Sequence, residues 1–172
     1  DLGRHEEFPG KKIRYYDAET GESYIPYVIE TSIGVDRMVL QVLSAGYQEE
    51  KLENGEERTV LSIPAPLAPV KAAVLPLVKK DGLPEIAHRI KTRLRYDYNI
   101  QFDEKDSIGK RYRRQDAIGT PLCITIDHQS AEDGTVTVRD RDTMRQERVH
   151  IEAIPALVES KAGMRALLDK LA

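Results

Sequence analysis

The chain has 172 residues, a formal net charge of −3, 40% hydrophobic and 32% charged residues, and a single cysteine, Cys123. That is the composition of a soluble globular protein with room for one ordinary domain, or one small domain and part of another. One cysteine excludes an internal disulfide framework and fits a reducing, cytoplasmic setting. No apolar run reaches membrane-spanning length, no signal-peptide pattern opens the chain, and a first residue of Asp1 makes a piece of a longer protein the expectation.

Residues 13–17 and 24–29 are aromatic and β-branched runs flanking a polar loop with Gly21, which is a hairpin signal. The second run reads as a buried strand ending in the polar residues Glu30, Thr31 and Ser32. Gly34 ends the extended segment. Val35, Met38, Val39 and Val42 follow at helical spacing, predicting a short helix to about Ser44 with Arg37 in its first turn. Residues 48–58 are rich in Glu, Lys and Gly with almost nothing apolar. They read as an exposed linker or long loop and the likeliest domain boundary, between residues 1–47 and 59–172.

Beyond it, residues 59–63 are strand-like, Pro64, Pro66 and Pro69 stiffen a connection, and residues 70–78 read as a buried strand. Leu83, Ile86, Ala87, Ile90 and Leu94 recur at i, i+3, i+4, i+7 and i+11. This is an amphipathic helix with Pro84 in its first turn and His88, Arg89, Lys91, Arg93 and Arg95 on its other face. A short strand over 99–102 precedes a second helix, from about Ser107 to Ile118, closed by Gly119 and Pro121. Residues 122–126 form a strand with Cys123 in its apolar middle, read as core. Asp133-Gly134 is a hairpin-turn signal. Val136 and Val138 alternate with polar residues in a half-exposed strand, and Val149 and Ile151 belong to another. Ile154, Leu157, Val158, Met164, Leu167, Leu168 and Leu171 pattern a helical tail. The order predicts an α/β fold: a mixed β-sheet covered by helices, preceded by a β-hairpin and a helix.

Charge is unevenly spread: residues 1–57 carry a balance of −7, residues 58–118 of +6 and residues 119–172 of −2. A basic middle in an acidic chain is a candidate polyanion surface, although a solvated helix face produces the same pattern. The four histidines are scattered and no zinc-ligand spacing occurs. The corner from Tyr24 to Arg37 is the other candidate site. A strand feeding a helix N-terminus suits an anion. With a carboxylate, two hydroxyls and an arginine nearby, it suits a mixed-charge ligand. The structural alternatives are a surface salt bridge from Arg37 to Asp36 or Glu30, a strand-end acid at Glu30 and a helix cap at Ser32.

Glu30-Thr31-Ser32-Ile33-Gly34-Val35-Asp36-Arg37, with Asp1-Leu2 and His5 before it and Ala68-Pro69-Val70-Lys71 after it, resembles glycyl-tRNA synthetase of the homodimeric class II type. Ser107-Ile108-Gly109-Lys110-Arg111-Tyr112 with Asp116 and Gly119-Thr120-Pro121 is similar to segments common to anticodon-binding domains of this and the threonyl-, prolyl- and histidyl-tRNA synthetases. So is the stretch from Thr137 to Gln146. The resemblance implies that residues 1–47 end an antiparallel class II catalytic domain at its motif 3. It implies a linker over 48–58 and an anticodon-binding domain over 59–172. The implied activity is glycine–tRNA ligase: glycyl-adenylate formed from glycine and ATP with Mg²⁺, then transfer to tRNA(Gly), by a cytoplasmic homodimer.

By the same resemblance, Arg37 is the catalytic motif 3 arginine that meets the adenine and terminal phosphate of ATP, while Glu30 and Ser32 line the glycine pocket. Thr31 stands where many relatives carry Pro. Lys110, Arg111, Tyr112, Arg113, Arg114, Arg139 and Arg141 are the candidate tRNA contacts. Splayed bases are read by stacking and edge hydrogen bonds while Lys and Arg hold phosphates. Ion pairing with Asp103, Glu104, Asp106, Asp140 and Asp142 is the alternative use of the same side chains. Nothing here matches motifs 1 and 2, so this chain alone is expected to be inactive. Two other readings are a synthetase-like accessory subunit of a DNA polymerase, which would not need Glu30, Ser32 and Arg37, and a standalone RNA-binding module.

Overall fold

The structure, a computed structural model, describes residues 2–8, 10–52 and 55–169. The expectations for Asp1 and Leu171, and for Glu53 and Asn54 of the linker, lie outside the described residues. The chain divides into two compact units, Asp1–Met38 and Val39–Ala172. Among the described residues no helix is long and apolar enough to cross a membrane.

In the first unit, helix α1 (Leu2–Glu7) precedes the antiparallel hairpin of β1 (Tyr15–Asp17) and β2 (Glu22–Tyr24), with Tyr15 opposite Tyr24 and Asp17 opposite Glu22. The turn is set by local chemistry: Asp17 Oδ1 accepts the Glu19 N–H at 2.9 Å, and Gly21 takes the φ of +71° that costs other residues energy. The expected buried strand over 24–29 is a correction. Residues 25–34 have no regular structure, and Tyr27 and Ile29 are fully exposed at 103% and 98%. An apolar run becomes a strand only with a ladder partner and a surface to pack on, and the described residues supply neither. Helix α2 (Val35–Gly46) follows as the spacing predicts.

After α2, which spans the Met38/Val39 boundary, comes another difference. The expected loop over 48–58 is an antiparallel hairpin of β3 (Tyr47–Lys51) and β4 (Glu57–Leu61), with Tyr47 opposite Leu61 and Lys51 opposite Glu57. In β4, exposed Glu57 and Thr59 alternate with buried Arg58 and Val60, the period-2 pattern of a strand. The buried position at 58 is an arginine, so no hydropathy alternation announces it.

After a 3₁₀ turn (Ala65–Leu67) come β5 (Ala72–Pro76), α3 (Leu83–Leu94), β6 (Ile100–Phe102), α4 (Ile108–Ala117), β7 (Leu122–Ile126), α5 (His128–Asp133), β8 (Thr135–Asp140) and β9 (Gln146–His150). A second 3₁₀ turn (Ile151–Ala153), α6 (Ile154–Ala162) and α7 (Met164–Leu168) complete the described chain. The five-stranded sheet has the order β6-β5-β7-β8-β9. β5 runs parallel to β6 and β7, whereas β7–β8 and β8–β9 are antiparallel. This is the expected mixed sheet. β5 and β7 are buried at every position, which is why they read as unbroken apolar runs.

The pleat divides the core in two. Ala72 and Val74 face Leu83, Ala87, Ile90 and Leu94 of α3 and Ile154 and Val158 of α6. Ala73, Leu75 and Cys123 face Ile108 and Tyr112 of α4. The helices α3 and α4 therefore cover opposite faces of one sheet.

Asp133-Gly134 does not form the predicted hairpin turn. It ends α5, with Gly134 at φ +69° as the left-handed residue after the helix. The start of α5 is a capping box: Asp127 Oδ1 accepts the Ser130 N–H at 3.0 Å and Ser130 Oγ accepts the Asp127 N–H at 3.1 Å.

Gly119, after α4, has φ +81°, and a Cβ there would sit 2.9 Å from the Leu61 carbonyl oxygen. Gly119→Ala meets both a strained backbone and a clash with main chain. It is expected to lower the unfolding free energy by about 1–3 kcal/mol, read as a lower urea midpoint at unchanged slope.

Candidate nucleic-acid interface

Five of the seven sequence-nominated RNA contacts lie on α4, and the structure sorts them by exposure. Lys110 is exposed and makes no hydrogen bond or ion pair among the described residues. Arg113 is half-buried, 3.5 Å from Glu56 Oε2 and 3.6 Å from Asp116 Oδ2. Both, with Gly109, Glu56 and Glu57, line a surface hollow of about 490 Å³.

Arg114 is exposed but engaged. Its guanidinium donates to Asp103 Oδ2 at 2.7 and 3.1 Å, to Asp106 Oδ2 at 2.9 Å and to the Lys105 carbonyl at 2.6 Å. The Asp103 and Asp106 carboxylates raise its pKa. Burial works against the Asp103 carboxylate, but the Lys105 N–H and Arg114 outweigh it and its pKa falls. Tyr112 is half-buried with its hydroxyl 2.7 Å from Thr125 Oγ1, and burial raises its phenol pKa.

Arg111, Arg139 and Arg141 are a correction to the expected interface. They are 2–3% exposed, and apart from the Arg111 Nε–H, which is buried without a partner, their donors are engaged inside the protein. Arg111 donates to the carbonyls of Pro76 (2.6 Å), Leu77 (3.2 Å) and Asp103 (3.2 Å), tying together the segments that leave β5 and β6. Arg139 makes a two-pronged pair with Asp116, 2.7 Å to Oδ1 and 3.0 Å to Oδ2, and its guanidinium lies 4.9 Å above the centre of the Tyr112 ring. Burial opposes its charge, yet the Asp116 carboxylate prevails and its pKa rises. Arg141 donates to the carbonyls of Gly119 and Ile63, each at 2.8 Å, and to Asp142. A guanidinium with no exposed face cannot stack on a base or reach a phosphate, so these three hold the scaffold beneath the α4 surface.

Arg58, which sequence reasoning missed, completes this network. It donates to Glu50 Oε2 at 2.6 and 2.9 Å, to Asp116 Oδ2 at 3.3 Å and to the Arg141 carbonyl at 2.9 Å. Asp116 thus compensates two buried arginines from α4, joining the β3–β4 hairpin to β8 through the helix that carries Lys110 and Arg113. Burial pushes the Cys123 thiol up to about 12, so it is an inert part of the core.

In the first unit, Glu30, Ser32 and Arg37 are all exposed. Glu30 and Ser32 lie in the irregular stretch before α2, and Arg37 is in its first turn, beside Gly34. Among the described residues these three make no hydrogen bond or ion pair with one another, and Arg37 pairs with neither Asp36 nor Glu30. Among the described residues no three His, Cys, Asp or Glu side chains come together as a metal site.

Residues 71–161, from the segment entering β5 to the end of α6, match the Anticodon binding domain family. A glycine–tRNA ligase of Lachnospira eligens is 53% identical over 161 residues, covering 94% of this chain and 34% of that protein. One from Geobacillus kaustophilus is 54% identical over 161 residues, covering 94% and 35%. The chain thus spans about a third of the length of these curated relatives. The solved RNA binding domain of threonyl-tRNA synthetase from Cryptosporidium parvum superimposes with a TM-score of 0.53 at 25% identity, over 59% of this chain and 26% of that one. Prolyl-tRNA synthetase from the same organism shares the fold, with a TM-score of 0.54 at 20% identity over 71% of this chain and 33% of its own. With the sheet, both flanking helices and the α4 surface inside the matched segment, the chain belongs to the anticodon binding domain family.

Proposed function

We propose that this chain is the C-terminal part of a glycine–tRNA ligase and that it binds tRNA(Gly) through the α4 surface. The observation that carries this is the extent of the similarity. An alignment covering 94% of the chain at 53% identity reaches beyond residues 71–161 and takes in Glu30, Ser32 and Arg37. Residues 1–47 then belong to the catalytic domain and residues 59–172 to the anticodon-binding domain, with residues 48–58 as the linker between them. The whole enzyme works as a cytoplasmic homodimer.

In such an enzyme the glycine carboxylate attacks the α-phosphate of ATP and pyrophosphate leaves. A tRNA ribose hydroxyl then attacks the glycyl carbonyl and AMP leaves. The protein contributes mainly positioning and charge stabilisation. Arg37, always charged and planar, lies over the adenine and pairs with phosphate oxygens. Glycine has no side chain to recognise, so selection rests on Glu30 gripping the ammonium and on a site around Ser32 too small for a larger α-substituent. Exclusion of that kind exceeds the roughly 1–3 kcal/mol per methylene available from a hydrophobic pocket. Mg²⁺ accompanies ATP; this chain's described residues present no ligand set for it.

On α4, Lys110 and Arg113 hold phosphates while half-buried Tyr112 and engaged Arg114 border them. Fluorescence anisotropy of the 172-residue chain with a tRNA(Gly) transcript tests this reading. Wild type is expected to prefer tRNA(Gly) over the same transcript with an exchanged anticodon, and equal binding of the two overturns it. Lys110→Ala and Arg113→Ala are each expected to weaken binding and to make the dependence of log K on log salt shallower by about 1.

A further inference from the structure

We propose that the outer face of α3 is a second RNA surface, one that takes phosphodiester backbone rather than bases. It rests on the RNA-binding reading above but occupies the opposite face of the sheet from α4. The packing of Leu83, Ala87, Ile90 and Leu94 against the sheet forces the intervening positions outward. There His88, Arg89 and Arg93 are exposed and Lys91 is half-buried, against the single acid Glu85 on the same helix.

Arg89 and Arg93 are one turn apart, so their side chains emerge as neighbours on one face. Together they form the wall between two hollows. One, of about 260 Å³, is otherwise lined by Ile86, Ile90, Gly134, His150, Ile151 and Glu152. The other, of about 450 Å³, is lined by His88, Thr92 and Tyr96.

The two arginines are prepared differently. Arg93 is steadied by Glu152 at 2.5 Å, leaving the rest of its fork to the solvent side. Arg89 has no ion-pair partner among the described residues, so its donors are uncommitted and geometrically suited to two phosphate oxygens. Just past the helix, Arg95 lies 5.1 Å from the centre of the Tyr96 ring, and that ring is 78% exposed. The extra cation extends the strip, and the Tyr96 hydroxyl is taken up by Arg95, which donates to it at 3.3 Å. Charge complementarity along one helix face with little base-reading chemistry favours a backbone contact, which is indifferent to sequence.

The test uses the 172-residue chain, a tRNA(Gly) transcript and an anticodon-exchanged transcript, with anisotropy titrations between about 50 and 200 mM salt. Arg89→Ala/Arg93→Ala is expected to lose about tenfold in affinity at the low-salt end for both transcripts alike. Its salt slope is expected to be shallower by about 1–2, as the loss of two phosphate contacts requires. Arg89→Lys/Arg93→Lys, which keeps the charge, is expected to retain the slope. Affinity and slope unchanged in the alanine double variant, with wild type still preferring tRNA(Gly), overturn the α3 surface alone. A wild-type chain that binds neither transcript overturns the α4 reading and this proposal with it.

Discussion

Asp116→Ala is expected to cost the chain about 3–5 kcal/mol of stability, the range for removing one partner of a buried ion pair. Asp116 is fully buried and is the carboxylate that accepts from both Arg58 and Arg139, which are 2% and 3% exposed. Without it Arg139 keeps a buried charge beside the Tyr112 ring and the Cys123 thiol with no carboxylate, and Arg58 keeps Glu50 and the Arg141 carbonyl. The loss comes less from the attraction removed than from the Arg139 cation left inside without a carboxylate and Arg58 left with the Glu50 carboxylate alone. An internal comparison sharpens the test. Arg114 also makes a dense set of charged hydrogen bonds, but with its side chain 42% exposed. Arg114→Ala is therefore expected to cost no more than about 1 kcal/mol. Urea unfolding of the two variants side by side gives both numbers. A loss at Asp116 no larger than at Arg114 contradicts the account of the buried network.

Arg37→Ala, made in the complete protein, is expected to lower glycine-dependent ATP–pyrophosphate exchange by roughly 10²–10³, the effect of removing one positioned charge stabiliser. Arg37→Lys is expected to restore little of it, because a point charge cannot reproduce a planar group that both stacks and pairs with phosphate oxygens. In the first turn of α2 Arg37 is exposed and makes no ion pair among the described residues. Its replacement is accordingly expected to leave the thermal midpoint in place, which separates lost chemistry from lost folding. Exchange at the wild-type rate contradicts the role assigned to Arg37. The 172-residue chain alone is expected to show no exchange, and measurable exchange by it contradicts the division of labour proposed between this chain and the rest of the ligase.

Local patterns in the sequence determined most of the architecture. The i, i+3, i+4, i+7 recurrence from Leu83 to Leu94 is α3, and the apolar runs that became β5 and β7 are buried on both sides. Both depend only on which residues are apolar and how far apart they stand along the chain. Where a local signal has two physical meanings, the sequence was insufficient. Asp133-Gly134 satisfies a hairpin turn and a helix end equally, because both need a left-handed glycine, and the Asp127–Ser130 capping box decided for the helix. Residues 25–29 carried the composition of a strand without a described neighbour to pair with.

The same limit governs the charged residues. That residues 58–118 are rich in arginine and lysine is plain from the sequence. Which cations face solvent was decided by residues far apart in the chain: Arg58, Asp116, Arg139 and Arg141 meet only when the hairpin, α4 and β8 close around them. A guanidinium carries the same charge in either setting. Its position relative to a buried carboxylate determines whether it is a structural tie or a hand held out to RNA, and only the tertiary structure supplies that position.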